Sequence, residues 1–302
     1  MHYKVGTRGS KLAVQQTTQV IEKLKAAYPD DTFEIETIVT SGDQNQTSAL
    51  DAIGTKGVFV DAIEKALLEG RIQLAVHSMK DMPDMPQSGL VFSRAWKRED
   101  PRDVLILRKA GHLEKLKQGA IIGTGSKRRA YQLKRLRPDL EIVPIRGNVD
   151  TRIRKLNEPM PDGRMIDGIV LAAAGLKRLG RESEISQYLT VDEMIPAPSQ
   201  GTLALELRAD HRELLEKLNA LADEATECAT KLERGFLKAI GGDCHMPIGA
   251  YATMEGDVYQ LRAVYGTEDG SQLATVCVQT NGTMDGLVER AVDQIHNKLN
   301  GC

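Results

Sequence analysis

One short pattern occurs twice in the chain and constrains its fold more than any other feature. Gly6-Thr7-Arg8-Gly9-Ser10-Lys11 is matched by Gly123-Thr124-Gly125-Ser126-Lys127-Arg128, and each copy joins a strand-like run to a helical one. Ahead of the first copy stands HYKVG; behind it Val20, Ile21, Leu24, Ala27 and Tyr28 recur at helical spacing as far as Pro29. TFEIETIVT then alternates with period two and ends in a turn, SGD. Phe59, Ile63, Ala66 and Leu67 mark a second helix closed by Gly70, and Ile72, Leu74 and Val76 a third strand. The plan repeats after the second copy, with AIIG (120–123), the helix start SKRRAYQLKRL, LEIVPI (140–145) and IDGIVLAAAG (166–175). A β–α–β–α–β succession implies a parallel sheet with right-handed crossovers. The sequence therefore predicts an α/β protein of two similar lobes.

The segments between the lobes, WKREDPRD (96–103) and MIPAPSQG (194–201), are rich in proline and charge, and TLALELR (202–208) returns as a strand. The second lobe is thus expected to be inserted in the first, and two crossings supply a hinge. From about residue 219 the pattern changes. Leu232, Phe236 and Leu237 lie on a helix ending at Gly241-Gly242, the loop DCHMPIG follows, and three short strands with turns at MEGD and TEDGS precede the amphipathic MDGLVERAVDQIHNKL. The expected domains are 1–96 with 199–218, then 97–198, then a small α+β domain with a three-stranded sheet over 219–302.

Lys+Arg 40 against Asp+Glu 42 leaves a net charge of −2, so there is no global basic field to steer the chain to DNA or a membrane surface. Aromatics at 4% argue against a base-stacking platform, and no apolar run is long enough to span a bilayer. MHYKVGTRGSKL lacks the apolar core of a secretory signal. The 4 Cys are far apart with no CxxC, which excludes a disulfide scaffold and a zinc-finger framework and leaves no metal site expected. A reduced, cytoplasmic enzyme or binding protein remains.

Ligands of open parallel sheets bind beyond the carboxyl ends of the strands. In the first lobe these ends carry Thr7, Arg8 and Ser10, then Thr40, Ser41 and Asp43, then His77, Ser78, Lys80 and Asp81. In the second they carry Thr124, Ser126, Arg128 and Arg129, then Arg146, Asn148 and Arg152, then Lys177 and Arg178. Helix N-termini after both turns favour anions, and the arginines suit a ligand with several carboxylates or phosphates. Each feature also has a bland reading. The turns serve equally as plain strand–helix connectors, Lys134, Arg135 and Arg137 read as a solvated helix face, and Lys80–Asp81 as a surface ion pair. Asp84 competes with Asp81. Cys244, in a loop, is a candidate nucleophile or attachment point; Cys277 reads as a strand core residue, Cys228 as a helix residue and Cys302 as a frayed end.

VGTRGSKLA, GTKGVFV, LAVHSMKDMP, KREDPRDV, GTGSKRRAYQL, RGNVDTR, LAAAGLKRLG, PAPSQGTLALE and GGDCHMPIGAY, in this order, resemble the porphobilinogen deaminase (hydroxymethylbilane synthase) family over nearly the whole chain. The resemblance implies two lobes like those of periplasmic binding proteins and a third domain carrying a cysteine, here Cys244. That cysteine holds a dipyrromethane cofactor, built from substrate, through a thioether. A cytoplasmic monomer then joins four porphobilinogen units head to tail, with loss of ammonia, and water releases hydroxymethylbilane for haem biosynthesis.

The resemblance makes Asp81 the catalytic carboxylate, stabilising cationic intermediates. It places Ser78, Lys80, Asp81, Thr124, Ser126, Arg128, Arg129, Arg146 and Gly147 against the cofactor. Arg8, Ser10, Gln16, Arg146, Arg152, Arg178 and Gln200 fall to the substrate, and Lys56 and Phe59 to a mobile loop. PAPSQG stands where PAVGQG is commoner in the family, and GTGSKRR where GTSSLRR is; KLNEPMPDGRMID is longer than usual and reads as a surface loop. Two alternatives stay open on the residues alone. A non-catalytic two-lobe anion-binding protein leaves Cys244 and Asp81 without roles, and a thiol hydrolase using Cys244 lacks a placed base.

Overall fold

The computed structural model describes residues 1–40, 60–109, 111–241 and 246–301. The chain divides into two compact units, Met1–Arg98 with Thr202–Glu224, and Glu99–Gly201 with Ala225–Cys302. In the first, strand β1 (His2–Arg8) runs into helix α1 (Lys11–Ala27), strand β2 (Thr32–Ile38), helix α2 (Asp61–Leu68), strand β3 (Leu74–Ser78) and strand β4 (Leu90–Phe92). Strand β10 (Leu203–Arg208) and helix α6 (Arg212–Asn219) complete it after the second lobe has been traversed. The strand order is β2-β1-β3-β10-β4. Strands β1, β2 and β3 pair in parallel, as their helical crossovers require, whereas β10 pairs antiparallel with both β3 and β4. The expected all-parallel sheet is therefore mixed, because β10 enters without a helical crossover of its own. Tyr3, Val5, Val20, Leu24, Leu74 and Leu207 close one face of this sheet. Gly6 permits that packing, since a Cβ there would stand 2.3 Å from Ile72 Cδ1.

The second unit holds two sheets. Strands β5 (Asp103–Leu107), β6 (Ile121–Gly123), β7 (Glu141–Val143), β8 (Gly168–Ala172) and β9 (Gln187–Tyr188) are ordered β7-β6-β8-β5-β9, and helices α3 (Lys127–Leu136), α4 (Val149–Leu156) and α5 (Ala173–Arg178) lie between them in sequence. The charged segment 96–103, read from sequence as a linker, ends inside β5: Asp103 is its first residue, paired antiparallel with Ala172 of β8. Helix α7 (Glu224–Ala239), strands β11 (Ile248–Glu255), β12 (Val258–Gly266) and β13 (Leu273–Asn281), and helix α8 (Leu287–Leu299) form the expected three-stranded sheet with its own core around Phe236, Leu261 and Ile295. Alternation along β13 puts Ala274, Val276 and Val278 inward, so Cys277 is exposed and not the core residue expected. Cys228 is half-buried on α7 and forms no disulfide.

The second crossing segment is the most strained part of the described chain. Ser199, fully buried, is the only described residue other than glycine with a positive φ, +60°. Its backbone N–H donates to Glu233 Oε2 at 2.6 Å, while its hydroxyl is buried without a partner. Gly201, at φ +90°, leaves no room for a Cβ, which would lie 2.3 Å from the Glu99 carbonyl oxygen. Ser199→Gly should raise stability by about 1 kcal/mol by relieving strain, and Gly201→Ala should lower it by about 3 kcal/mol or more. Urea unfolding of both variants checks the opposite signs.

Candidate active site

The two copies of the repeated turn build the same local device. Ser10 caps α1, its Oγ accepting from Ala13 N at 3.3 Å, and Ser126 caps α3, its Oγ accepting from Arg129 N at 3.4 Å. Both hydroxyl oxygens are thus engaged as N-caps. The first turns of α1 and α3 hold no acid. Lys11 in one and Lys127, Arg128 and Arg129 in the other stand instead at the positive end of the helix dipole, an unfavourable arrangement unless an anion offsets it.

At the carboxyl end of β3, a single 3-10 turn, Met79–Asp81, carries the chain away from the sheet. Met79 is buried and anchored by its N–H to Thr202 O at 3.0 Å, which leaves Asp81 outermost. Asp81 is exposed, and its carboxylate takes no hydrogen bond or ion pair from any described residue. Asp84 is exposed too, but it is engaged by another group. Gln16, buried on α1, donates to Ser78 Oγ at 3.1 Å and so steadies the end of β3. Thr7, at the end of β1, is fully buried with an unpartnered hydroxyl. His77 is turned inward, with Nε2 3.1 Å from Glu206 Oε2, so it braces β3 against β10 and is no ligand group.

In the second unit the chemistry is cationic. Arg128 and Arg129, only 4% and 6% exposed, fold inward onto the fully buried Asp103. Arg128 Nη1 donates to Asp103 Oδ2 at 2.7 Å and to the Ile195 carbonyl at 2.7 Å. Arg129 donates to Asp103 Oδ1 from Nε at 3.1 Å and Nη2 at 2.8 Å, and from Nη1 to the Val170 carbonyl at 3.1 Å. Gln200 Nε2 donates to the same Oδ1 at 2.9 Å and to Pro101 O at 2.7 Å. Burial alone would raise the Asp103 pKa, but the Arg128 and Arg129 guanidiniums outweigh it and hold the carboxyl well below the usual range. Burial pulls Arg128 down, opposed by Asp103.

Two guanidiniums against one carboxylate leave this cluster a surplus positive charge. Arg128 keeps its Nε and Nη2 edge without a described partner. In the turn before α3, Thr124 is buried, its Oγ1 accepting from Ser126 N at 3.2 Å. Gly147 turns the chain at φ +114°, and its carbonyl accepts from Arg152 Nε at 2.7 Å. Arg146 is exposed, and its guanidinium has no partner among the described residues. Arg178 donates to Gly201 O at 2.7 Å. Burial pulls its pKa down to about 10, and the field of Glu99 offsets only part of that; Glu99 itself is paired with Lys177 at 2.8 Å.

Several sequence expectations change on this geometry. Gln200 points at Asp103 and not at open space. Arg128 and Arg129 serve Asp103 before any ligand, and Ser10 and Ser126 serve their helices. Arg8, Lys80 and Arg152 are half-buried and engaged. Ser41, Asp43, Lys56, Phe59 and Cys244 lie outside the described residues. Sequence reasoning missed Asp103, whose only signal was a carboxylate heading the apolar run VLIL. Among the described residues no group of three or more His, Cys, Asp or Glu stands at metal-binding distance, and no helix is long and apolar enough to cross a membrane.

Two family models match: porphobilinogen deaminase, dipyromethane cofactor binding domain, over residues 3–216, and porphobilinogen deaminase, C-terminal domain, over residues 226–293. The porphobilinogen deaminase of Lachnospira eligens is 53% identical over 277 residues, covering 91% of this chain and 93% of its own. That of Clostridioides difficile is 50% identical, covering 90% and 89%. Among solved structures, the second substrate binding domain of a putative amino acid ABC transporter from Streptococcus pneumoniae is similar at TM-score 0.44 and 15% identity, covering 79% of this chain and 94% of that one. The periplasmic VFT2 domain of Bordetella pertussis BvgS is similar at TM-score 0.42 and 15% identity, covering 77% and 92%. These two likenesses are too distant to bear on function.

Because the pKa of Asp103 is depressed in the folded state, its contribution to stability is complete above its unfolded pKa, about 3.9. The contribution is lost as pH falls below that value towards the folded one. Urea unfolding between pH 3 and 7 should show this acid limb, and Asp103→Asn should flatten it.

Proposed function

The chain belongs to the porphobilinogen deaminase family, and on that premise we propose that Asp81 is its catalytic carboxylate and Cys244 the residue that holds its cofactor. The activity is that of a hydroxymethylbilane synthase, a transferase that deaminates four porphobilinogen molecules and joins them head to tail before water releases the product. Dipyrromethane, when bound, supplies the pyrrole carbon to which the first unit is joined.

The observation that carries the assignment is the carboxylate of Asp81, just after β3, which has no partner among the described residues. An aspartate locked to an arginine would have its charge already answered. Asp81 instead is free to accept a pyrrole N–H and to stabilise the positive charge that develops on the incoming unit as ammonia departs. Gln16 and Ser78 fix the strand end from which it projects. Lys80, next to it and already engaged, is proposed to meet a carboxylate arm by exchanging that partner.

Porphobilinogen carries acetate and propionate arms, and the donors of the second unit fit them. A nearly buried guanidinium with a whole edge unused, a free exposed guanidinium and a helix N-terminus without acids are an anion-binding set. Arg128, Arg129, Thr124, Ser126, Arg146 and Gly147 are proposed for the cofactor, with Arg129 mainly holding the cluster together. Arg8, Ser10, Arg146, Arg152 and Arg178 are proposed for the substrate. Gln16 and Gln200 act one step behind, through Ser78 and Asp103. The proposal also separates residues 219–302 as a cofactor-bearing domain, supported by their own sheet and core. It makes the chain a cytoplasmic monomer; that Cys228 and Cys277 form no disulfide suits a reducing compartment.

Asp81→Ala should keep the wild-type melting curve and lose roughly 10²–10³ in kcat, whereas Asp84→Ala should stay near wild type. Steady-state rates of the two variants decide between the carboxylates, and equal losses would remove the assignment. Cys244→Ser should show the bare chain mass after incubation with porphobilinogen, where the wild type gains two condensed pyrrole units.

A further inference from the structure

We propose that Asp103 is a positioning residue for the transferase reaction, holding Arg128 so that its Nε–Nη2 edge is the one presented to a carboxylate arm of the pyrrole chain. The inference rests on the reading of Arg128 and Arg129 as carboxylate binders and adds the residue that makes them so.

Asp103 has no solvent exposure, and both its oxygens are occupied by side chains. Oδ1 receives Arg129 Nε, Arg129 Nη2 and Gln200 Nε2; Oδ2 receives Arg128 Nη1. Each guanidinium is held at a second point by a carbonyl, Ile195 for Arg128 and Val170 for Arg129. Two anchors per planar group leave little rotation. Arg129 has Nε, Nη1 and Nη2 all donating, so its fork is closed. Arg128 donates only from Nη1, and the Nε–Nη2 edge is the geometry that grips a carboxylate bidentately.

The carboxylate also sets the charge. Without Asp103, two cations would face each other at the amino end of α3, a like-charge contact that would drive the guanidiniums apart. With it the cluster is preorganised and keeps one net positive charge for one carboxylate arm. Asp103 is itself rigidly placed, as the first residue of β5 hydrogen-bonded into the sheet opposite Ala172. The placement of Arg128 therefore traces to the backbone of the sheet and not to a flexible side-chain stem.

The test compares full-length chains produced in a host that makes no porphobilinogen and then incubated with it. The added mass on the denatured chain is followed against time, with a melting curve for each variant. Arg128→Leu should fail to load. Asp103→Asn, folded below its melting point, should load roughly ten- to a hundredfold more slowly, the scale on which a misplacement of about 1 Å acts. Asp103→Glu, which keeps the charge and shifts its position, should also load more slowly. A carboxylate with a purely structural role would lower the melting temperature and leave the loading rate of folded molecules unchanged. Wild-type loading by folded Asp103→Asn or Asp103→Glu, while Arg128→Leu stays bare, would overturn the proposal. Should Asp103→Asn not fold, Asp103→Glu decides, and failure of both to fold would overturn it as well. Normal loading by Arg128→Leu would instead overturn the reading on which it rests.

Discussion

The buried contact of Asp103 with Arg128 and Arg129 is the interaction on which the cationic half of the structure depends. Taking three charges out of water costs several kcal/mol per ion unless hydrogen bonds answer them. Here both carboxylate oxygens, the Ile195 and Val170 carbonyls and the Gln200 amide do so. The contact ties together β5, β8, α3 and the crossing segment 194–201. It also permits α3 to begin with three cations against its own dipole, which an isolated helix would resist.

That constraint shows why the repeated turn has diverged in chemistry while keeping its geometry. In both copies a serine caps the following helix and a buried threonine sits at the strand end. In the first unit the turn after the neighbouring strand β3 carries Asp81, a carboxylate with no partner among the described residues. In the second, the residues after the turn are guanidiniums held by a buried carboxylate. On the proposed assignments, the first unit supplies a group to stabilise positive charge on a pyrrole and the second supplies groups to hold its negative arms.

The crossing segments illustrate how strain and function are kept apart. Ser199 at a positive φ and Gly201 against the Glu99 carbonyl hold a tight path. The Ser199 N–H is taken up by Glu233 and the Gln200 amide by Pro101 and Asp103. Gln200, which the family resemblance offers as a substrate contact, donates within that path to Pro101 and Asp103. Charge density in sequence misleads here, because proline and charged residues mark a surface linker only when their partners are far away; Asp103 and Glu233 bring them inside.

Local pattern was enough for much of this protein. Periodicity and the twice-used glycine–threonine turn determined two α/β lobes, the return of 202–208 as a strand and a separate three-stranded sheet. The residue types at strand ends suited an anionic ligand, and the ordered motifs determined the family. All of these depend on near neighbours along the chain. What only the tertiary structure decided is which side chains remain available. Among the described residues Asp81 has no partner and Asp84 has one; Arg128 keeps one edge and Arg129 none; His77 and Gln200 are turned to protein partners; Cys277 faces outward; β5 and β10 each run antiparallel to their neighbours in their own sheets. Each of these outcomes depends on a partner far away in sequence, such as Asp103 with Gln200 or His77 with Glu206, and a carboxylate or guanidinium carries no mark of whom it will meet.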